Sequence, residues 1–239
     1  MKLGRKIKRI KSKILYFLRR NINSKIYDFI ILQLSKNKFL KSINSKKIIL
    51  SKSKNLDEIN KYEHKITSQN NEDGIIDFIT KKINDPDNIF FEIGFDFNEF
   101  NSLSLIKKNW SGTLIDGDQI KCDKLKVCMR KYFKSNKISI YNNLITYENI
   151  NKIISNSITK KNFDFFSLDT DGMDYWILEK LNFSPKIICA EFNPWLGPSE
   201  KLILPKNLNF NYQSDMYYGA SLKAYQFLLN KKNYKLVAI

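Results

Sequence analysis

Residues 89–118 read IFFEIGFDFNEFNSLSLIKKNWSGTLIDGD. An apolar run over 89–93 stops at Gly94, a polar turn and an amphipathic stretch follow, and a second apolar run over 112–115 stops at Asp116. This is the pattern of a strand, a loop, a helix and a parallel strand. In such a unit the first loop and the end of the second strand meet at one edge of the sheet. Gly94 and Asp116 stand 22 positions apart, close to the ~20 that brings a carboxylate onto a nucleoside ribose. The spacing points to a nucleoside-containing cofactor.

The side chains of the loop narrow the choice. A dinucleotide calls for G-x-G-x-x-G, because backbone N–H groups must approach a pyrophosphate closely. Residues 94–99 read GFDFNE, with one glycine and with Asp96 and Glu99 where a phosphate would be repelled. Glu92, Asp116 and Asp118 make the same edge more acidic. An acidic edge suits S-adenosylmethionine, which carries a sulfonium and an ammonium, and argues against NAD, FAD and ATP. Asp96 and Glu99 have a second reading, as an N-terminal cap pair for a helix over 100–108. Glu92 and Asp116, at the ends of buried apolar strands, need partners. Asp118 reads as the cap of the next helix.

Beyond residue 60 the chain alternates. Strands are expected near 89–93, 112–116, 137–141, 163–168, 186–192 and 234–239, and helices near 72–83, 99–108, 119–133, 147–156, 173–181 and 220–231. The alternation predicts an α/β fold with a doubly wound, mainly parallel sheet. The segment 194–218, with Pro194, Gly197, Pro198 and Pro205, reads as a long loop over the carboxyl edge, a lid or binding loop. The last run predicts a sixth, weakly held strand, with no residues after it for a seventh.

A second constellation lies at 163–176, FDFFSLDTDGMDYW, where an apolar strand ends at Leu168 and Asp169 and Asp171 follow. Gly172 permits a sharp turn. At 186–195, KIICAEFNPW, another apolar strand ends in Glu191, with Asn193 two beyond. In an open α/β sheet both strand ends face the first loop. Asp169, Asp171 and Glu191 can therefore converge, either to hold a hard cation such as Mg2+ through oxygen ligands or to accept a substrate hydroxyl's proton. The other reading for Asp171 and Asp174 is as caps of the helix that follows.

The charge is concentrated. Of a formal +17, residues 1–54 carry 17 Lys/Arg against one acid, Asp28. We take 1–60 as a basic helical N-terminal appendage and 61–239 as the α/β domain. Ile7, Ile10, Ile14, Leu15, Phe17 and Leu18 recur at roughly helical spacing among the basic residues. The apolar runs are too short for a signal peptide or a membrane span. Two readings stay open, an amphipathic helix over 1–34 on an anionic membrane surface and a solvated helix that packs its stripe on the body. Nucleic-acid binding ranks below both, since no recognition motif accompanies the charge. Cys122, Cys128 and Cys189, odd in number and without C-x-x-C spacing, predict a reducing, cytoplasmic setting without a disulfide framework or a zinc site. The single histidine, His64, sits in a polar stretch and reads as an exposed bystander, or alternatively as a lone general base.

Seven blocks together resemble a family: SQNNEDGI (68–75), FFEIG (90–94), WSGTLIDGD (110–118), ITYENIN (145–151), SLDTDGMDYW (167–176), EFNPWLGP (191–198) and YYGASLKA (217–224). Over roughly 62–239 the chain resembles the FkbM-type, S-adenosylmethionine-dependent methyltransferase-like proteins. The resemblance implies a class I methyltransferase fold, Rossmann-like. It places Glu92 and Gly94 in the cofactor loop, Asp116 on the ribose, and Asp169 where methyl donor and acceptor meet. It implies transfer to a hydroxyl oxygen, often on a sugar or a polyketide-type product. Where relatives carry a further small residue after Gly94, this chain has Phe95 to Asn98. The expectation is a cytoplasmic O-methyltransferase acting on a small-molecule or glycan acceptor. Asp169, Asp171 and Glu191 are its catalytic or metal-ligating residues, and Asn193 and Tyr218 contact substrate. The alternatives are a non-catalytic binding or scaffolding protein of the same fold, and a module held peripherally at the inner membrane face by its basic arm.

Overall fold

The computed structural model describes residues 2–45, 58–133, 137–157, 163–210, 212–213 and 216–239. Two helices come first, α1 (Lys2–Asn21) and α2 (Ser24–Ile43). Asn23 starts the second by accepting a hydrogen bond from the Lys25 amide at 2.9 Å, as an N-cap should. Tyr27, Ile31, Ser35 and Phe39 recur every fourth residue and are buried, a single helical stripe turned to the body.

A short 3-10 turn (Glu58–Tyr62) and α3 (Glu72–Thr80) lead into the alternating part. There β1 (Ile89–Ile93), α4 (Leu103–Ile106), β2 (Ser111–Asp116), α5 (Gln119–Tyr132), β3 (Ile138–Asn142), α6 (Ile150–Ser157), β4 (Phe165–Leu168), α7 (Asp174–Lys180), β5 (Ile187–Ala190) and α8 (Leu222–Lys231) follow in order. The described strands form one sheet, ordered β3-β2-β1-β4-β5, with every neighbouring pair parallel. This is an α/β, Rossmann-like, doubly wound architecture.

The strand side chains alternate between two apolar layers. Phe90, Leu114 and Phe165 face a core with Leu103, Leu105, Ile106, Trp110 and the inner side of α5. Phe91, Ile93, Ile115 and Phe166 face the other, with α6, α7 and α8. Both faces of β1 and β4 are thus covered, and the two strands read as nearly continuous apolar runs for that reason, interrupted by Glu92 and Ser167. Phe39 of α2 enters the first layer, stacking on Tyr132 at 5.9 Å and meeting Phe133 edge-on at 6.2 Å.

Two elements differ from the sequence reading. The expected sixth strand does not form, and the sheet has five strands among the described residues. After α8, Asn233 takes the left-handed conformation (φ 66°) that its type tolerates. The Tyr234 hydroxyl then donates to the Pro185 carbonyl at 2.6 Å. That bond holds the segment beside the entry to β5, while Leu236, Val237 and Ile239 stay exposed.

The helix expected over 99–108 shrinks to the single turn of α4. Glu92, at the end of β1, accepts the amides of Asn101 (3.0 Å) and Ser102 (2.8 Å) and delays the helix start. Asp96 and Glu99 are therefore not its caps. Asp96 accepts from the Phe97 amide at 2.7 Å, and Glu99 pairs with Lys65 at 2.6 Å. Asp118 caps α5, accepting from the Ile120 and Lys121 amides.

Candidate functional site

Ladder hydrogen bonds continue one residue past the strand ends. The Gly94 amide donates to the Ile115 carbonyl (2.9 Å), the Asp169 amide to Ile93 (2.9 Å) and the Glu191 amide to Leu168 (3.2 Å). Gly94, Asp169 and Glu191 therefore stand side by side along the carboxyl edge, in a register fixed by the sheet. Gly94 lies at φ 77°, and a Cβ there would fall 1.5 Å from the Asp169 carbonyl oxygen. Only glycine lets the two chain segments approach so closely.

A cavity of about 1340 Å3 opens above this edge, at the switch between β1 and β4. Such crevices are where open α/β sheets bind ligands. Glu92, Gly94, Asp116, Asp169, Asp171, Glu191 and Tyr218 all line it.

Asp116 is 8% exposed and already partnered. It accepts from the Phe95 amide (3.2 Å) and the Asp118 amide (2.6 Å), and it pairs with Lys121 at 3.5 Å. Burial alone would lower Lys121, but Asp116, Asp96 and Asp118 outweigh it and keep the ammonium above its ordinary value. Glu92 is buried, and burial pushes its carboxyl up to about 7 despite hydrogen bonds from Ser102 and Asn101. It also accepts from the Ser102 hydroxyl. Phe95 and Phe97 turn into the apolar layer beneath and are themselves buried.

Asp169, Asp171 and Glu191 offer carboxylate oxygens that all lie within 4.8 Å of one another. Burial raises Asp169, and the charges of Asp174 and Asp171 add to it. Burial also raises Glu191, and the charge of Asp169 adds most to it, followed by Asp174 and Asp171. The Asp169 and Glu191 side chains lie within hydrogen-bonding reach of one another, a placement that favours a proton on one of them because two adjacent negative charges are costly. Asp171 sits at φ 56° on the exposed side. Next to it, a Cβ on Gly172 would fall 2.6 Å from the Phe210 ring. Asp174 is buried and accepts from the Thr170 (2.9 Å) and Gly172 (3.1 Å) amides, which pins the turn.

The two expected substrate contacts part company. Tyr218 lines the cavity, raised by burial and by the nearby Glu191. Asn193 is fully buried, outside the lining residues. Its amide donates to the Met216 (2.8 Å) and Tyr218 (2.9 Å) carbonyls and accepts from the Trp195 amide (3.0 Å). It anchors the loop that carries Tyr218; all but residues 211 and 214–215 of that loop lie within the described chain.

His64 is also corrected. It is buried, not exposed, with Nδ1 2.9 Å from the Tyr62 carbonyl. It packs against α3 where Gly74 has no side chain, a Cβ there falling 2.2 Å from Nδ1. It is not among the residues lining the cavity.

Two cavity residues escaped the sequence reading. Lys121 stands in the first turn of α5, where a cation opposes the helix dipole and signals a nearby carboxylate. Tyr225, on the inner face of α8, is 5% exposed, and its hydroxyl has no hydrogen-bond partner among the described residues. Its ring lies in the field of Asp174, Glu191 and Asp169. A tyrosine on the apolar stripe of an amphipathic helix was the available signal, since a buried hydroxyl seeks a partner.

No family model matches the chain, and no curated protein matches it. Among solved structures it is similar to the E. coli tRNA N6-threonylcarbamoyladenosine dehydratase TcdA. The structure of that protein with AMP superposes at a TM-score of 0.35 with 13% identity, over 51% of this chain and 58% of that one. Structures described without a ligand and with ATP give 0.36 and 0.35, over 60% and 59% of their chains. The chain thus spans about three fifths of the proteins it matches.

Proposed function

We propose that the chain is an S-adenosylmethionine-dependent methyltransferase whose acceptor is a hydroxyl on a sugar or small natural product, as its resemblance to the FkbM-type family implies. The observation that carries this reading is the acidic cavity at the β1/β4 switch, with Asp116 on one wall and the Asp169–Glu191 pair on the other. A carboxylate has room for about four hydrogen bonds, so Asp116 retains capacity for one ribose hydroxyl beside its two amides and Lys121. Glu92 and Gly94 shape the loop beneath. When bound, S-adenosylmethionine supplies an electrophilic methyl group on a positively charged sulfur. The acidic walls favour that charge, and the Asp169–Glu191 pair is placed to take the acceptor's hydroxyl proton. Tyr218 contacts the acceptor.

The same three carboxylates suit a hard cation such as Mg2+, which prefers oxygen donors. Burial and like charge raise the Asp169 and Glu191 carboxyls, so a cation there competes with protons and Mg2+ affinity in this case rises with pH. Titration calorimetry at mildly acidic and mildly alkaline pH reads it directly.

One observation favours a second reading, a non-catalytic binding protein of the same fold. Asp116 is already engaged by two amides and Lys121. Calorimetric titration with S-adenosylmethionine and its demethylated product separates the two. Binding of both, weakened by ~1.5–3 kcal/mol in Asp116→Ala and not competed by NADH, supports the methyltransferase. Failure of both to bind rejects it.

A further inference from the structure

The basic arm docks on the body by one line of side chains and leaves another outward. Leu15 is buried against Tyr27, Ile31, Ile120 and Val127, with Leu18 and Ile22 packed beside it. Ile7, Ile10, Ile14 and Phe17, spaced as one helical stripe, remain 46%, 49%, 52% and 64% exposed. On α2, Ile26, Phe29 and Leu34 are exposed as well. Residues 2–21 contain nine Lys/Arg and no acid. The expectation that the apolar stripe packs on the body therefore holds for Leu15 and Leu18 and not for the rest. Among the described residues, no helix is long and apolar enough to cross a membrane.

We propose that α1 and the exposed apolar residues of α2 form a docking surface for an anionic lipid bilayer. The helix lies in the headgroup plane, with Ile7, Ile10, Ile14 and Phe17 entering the acyl boundary and the flanking Lys/Arg meeting lipid phosphates. Charge complementarity selects this occupant. A second copy of the chain would bring the same positive face against itself. A nucleic acid would neutralise the charge and leave the apolar stripe in water. An anionic bilayer satisfies both features at once.

The test is co-sedimentation of the full chain with phosphatidylcholine vesicles, with and without phosphatidylglycerol, at low and high salt. Binding should require phosphatidylglycerol and weaken at least about tenfold at high salt. Ile10→Ser/Ile14→Ser/Phe17→Ser should lose at least about tenfold in vesicle binding while retaining heparin binding. Lys11→Glu/Lys13→Glu, at two exposed positions, should weaken both and guards against misfolding of the triple variant. Absence of binding to phosphatidylglycerol vesicles overturns the proposal. So does wild-type vesicle binding by the triple variant, which would leave only charge attraction to any polyanion. A dimer in sedimentation equilibrium that the triple variant dissociates would assign the stripe to a second copy instead.

Discussion

Glu92 is buried at the end of β1 and serves three donors, the amides of Asn101 and Ser102 and the Ser102 hydroxyl. Burial outweighs those bonds and pushes its carboxyl from 4.5 up to about 7. The folded protein thus holds the proton to about pH 7, whereas the unfolded chain releases it near 4.5. The associated stability is fully present below the unfolded value and is lost as pH rises through the folded one. Glu92→Gln keeps an acceptor and cannot ionise, so urea unfolding across this window should show a flatter profile than the wild type. Glu92→Ala leaves two amides unpaired and should cost about 2–3 kcal/mol. At Gly94 the constraint is steric, with φ 77° and the Asp169 carbonyl where a Cβ would sit. Gly94→Ala combines a left-handed φ with overpacking, and a loss of at least ~2 kcal/mol is expected. Because the clash is with Asp169 itself, the same substitution should also shift the pH dependence of any ligand bound at the Asp169–Glu191 pair. An unchanged urea midpoint for Gly94→Ala would show that the two segments part at no cost.

The loop after β5 depends on one side chain in the same way. Asn193 ties Trp195 to the Met216–Tyr218 stretch, so Asn193→Ala should lower stability by about 2–3 kcal/mol. Hydrogen exchange should show the loss of protection concentrated in 195–197 and 216–220, with β1 and β4 unchanged. Uniform loss across the sheet would mean that the loop is not a separate unit. Why some elements were legible in the sequence and others were not follows from such contacts. The central strands β1 and β4 announce themselves as nearly continuous apolar runs because both of their faces are covered, and Asp118 fits its capping place locally. The register that aligns Asp169 with Glu191 was also readable, since each residue directly follows its strand. By contrast, the start of α4 is set by Glu92, about ten residues upstream, and no local pattern reports it. His64 stands among polar neighbours and is buried only because Gly74, in another element, leaves room. Residues 234–239 have the composition of a strand, but the Tyr234 hydroxyl is bonded to Pro185 and the segment makes no ladder.

At the scale of the whole molecule the two N-terminal helices divide by how they contribute to the core. α1 offers Leu15 to a small cluster with α2 and α5, and an Arg19–Asp123 pair that is 43% exposed on the arginine side. Such a pair contributes at most about 1 kcal/mol. Asp123 would keep the Tyr27 hydroxyl (3.0 Å) and the Gln119 amide (2.8 Å) as partners without it. α2 is different. Phe39 and Ile31 are fully buried, Tyr27 nearly so, and Phe39 belongs to the same apolar layer as Phe90, Leu114 and Phe165. Removing one buried Phe costs roughly 3–5 kcal/mol and a buried Ile roughly 2–5. Their sum approaches the ~5–15 kcal/mol by which a domain is stable at all. Deleting residues 1–21 should therefore leave a soluble, cooperatively unfolding protein, less stable by about the 2–5 kcal/mol of one buried leucine. Deleting 1–45 should uncover Tyr132, Phe133 and the outer side of α5 and give an aggregating or non-cooperative chain. Urea denaturation of the two truncations is the measurement. A longer truncation that unfolds as cooperatively as the full chain would show that the α/β body closes its core without α2, and that the whole segment before residue 60 is an appendage in the energetic sense as well.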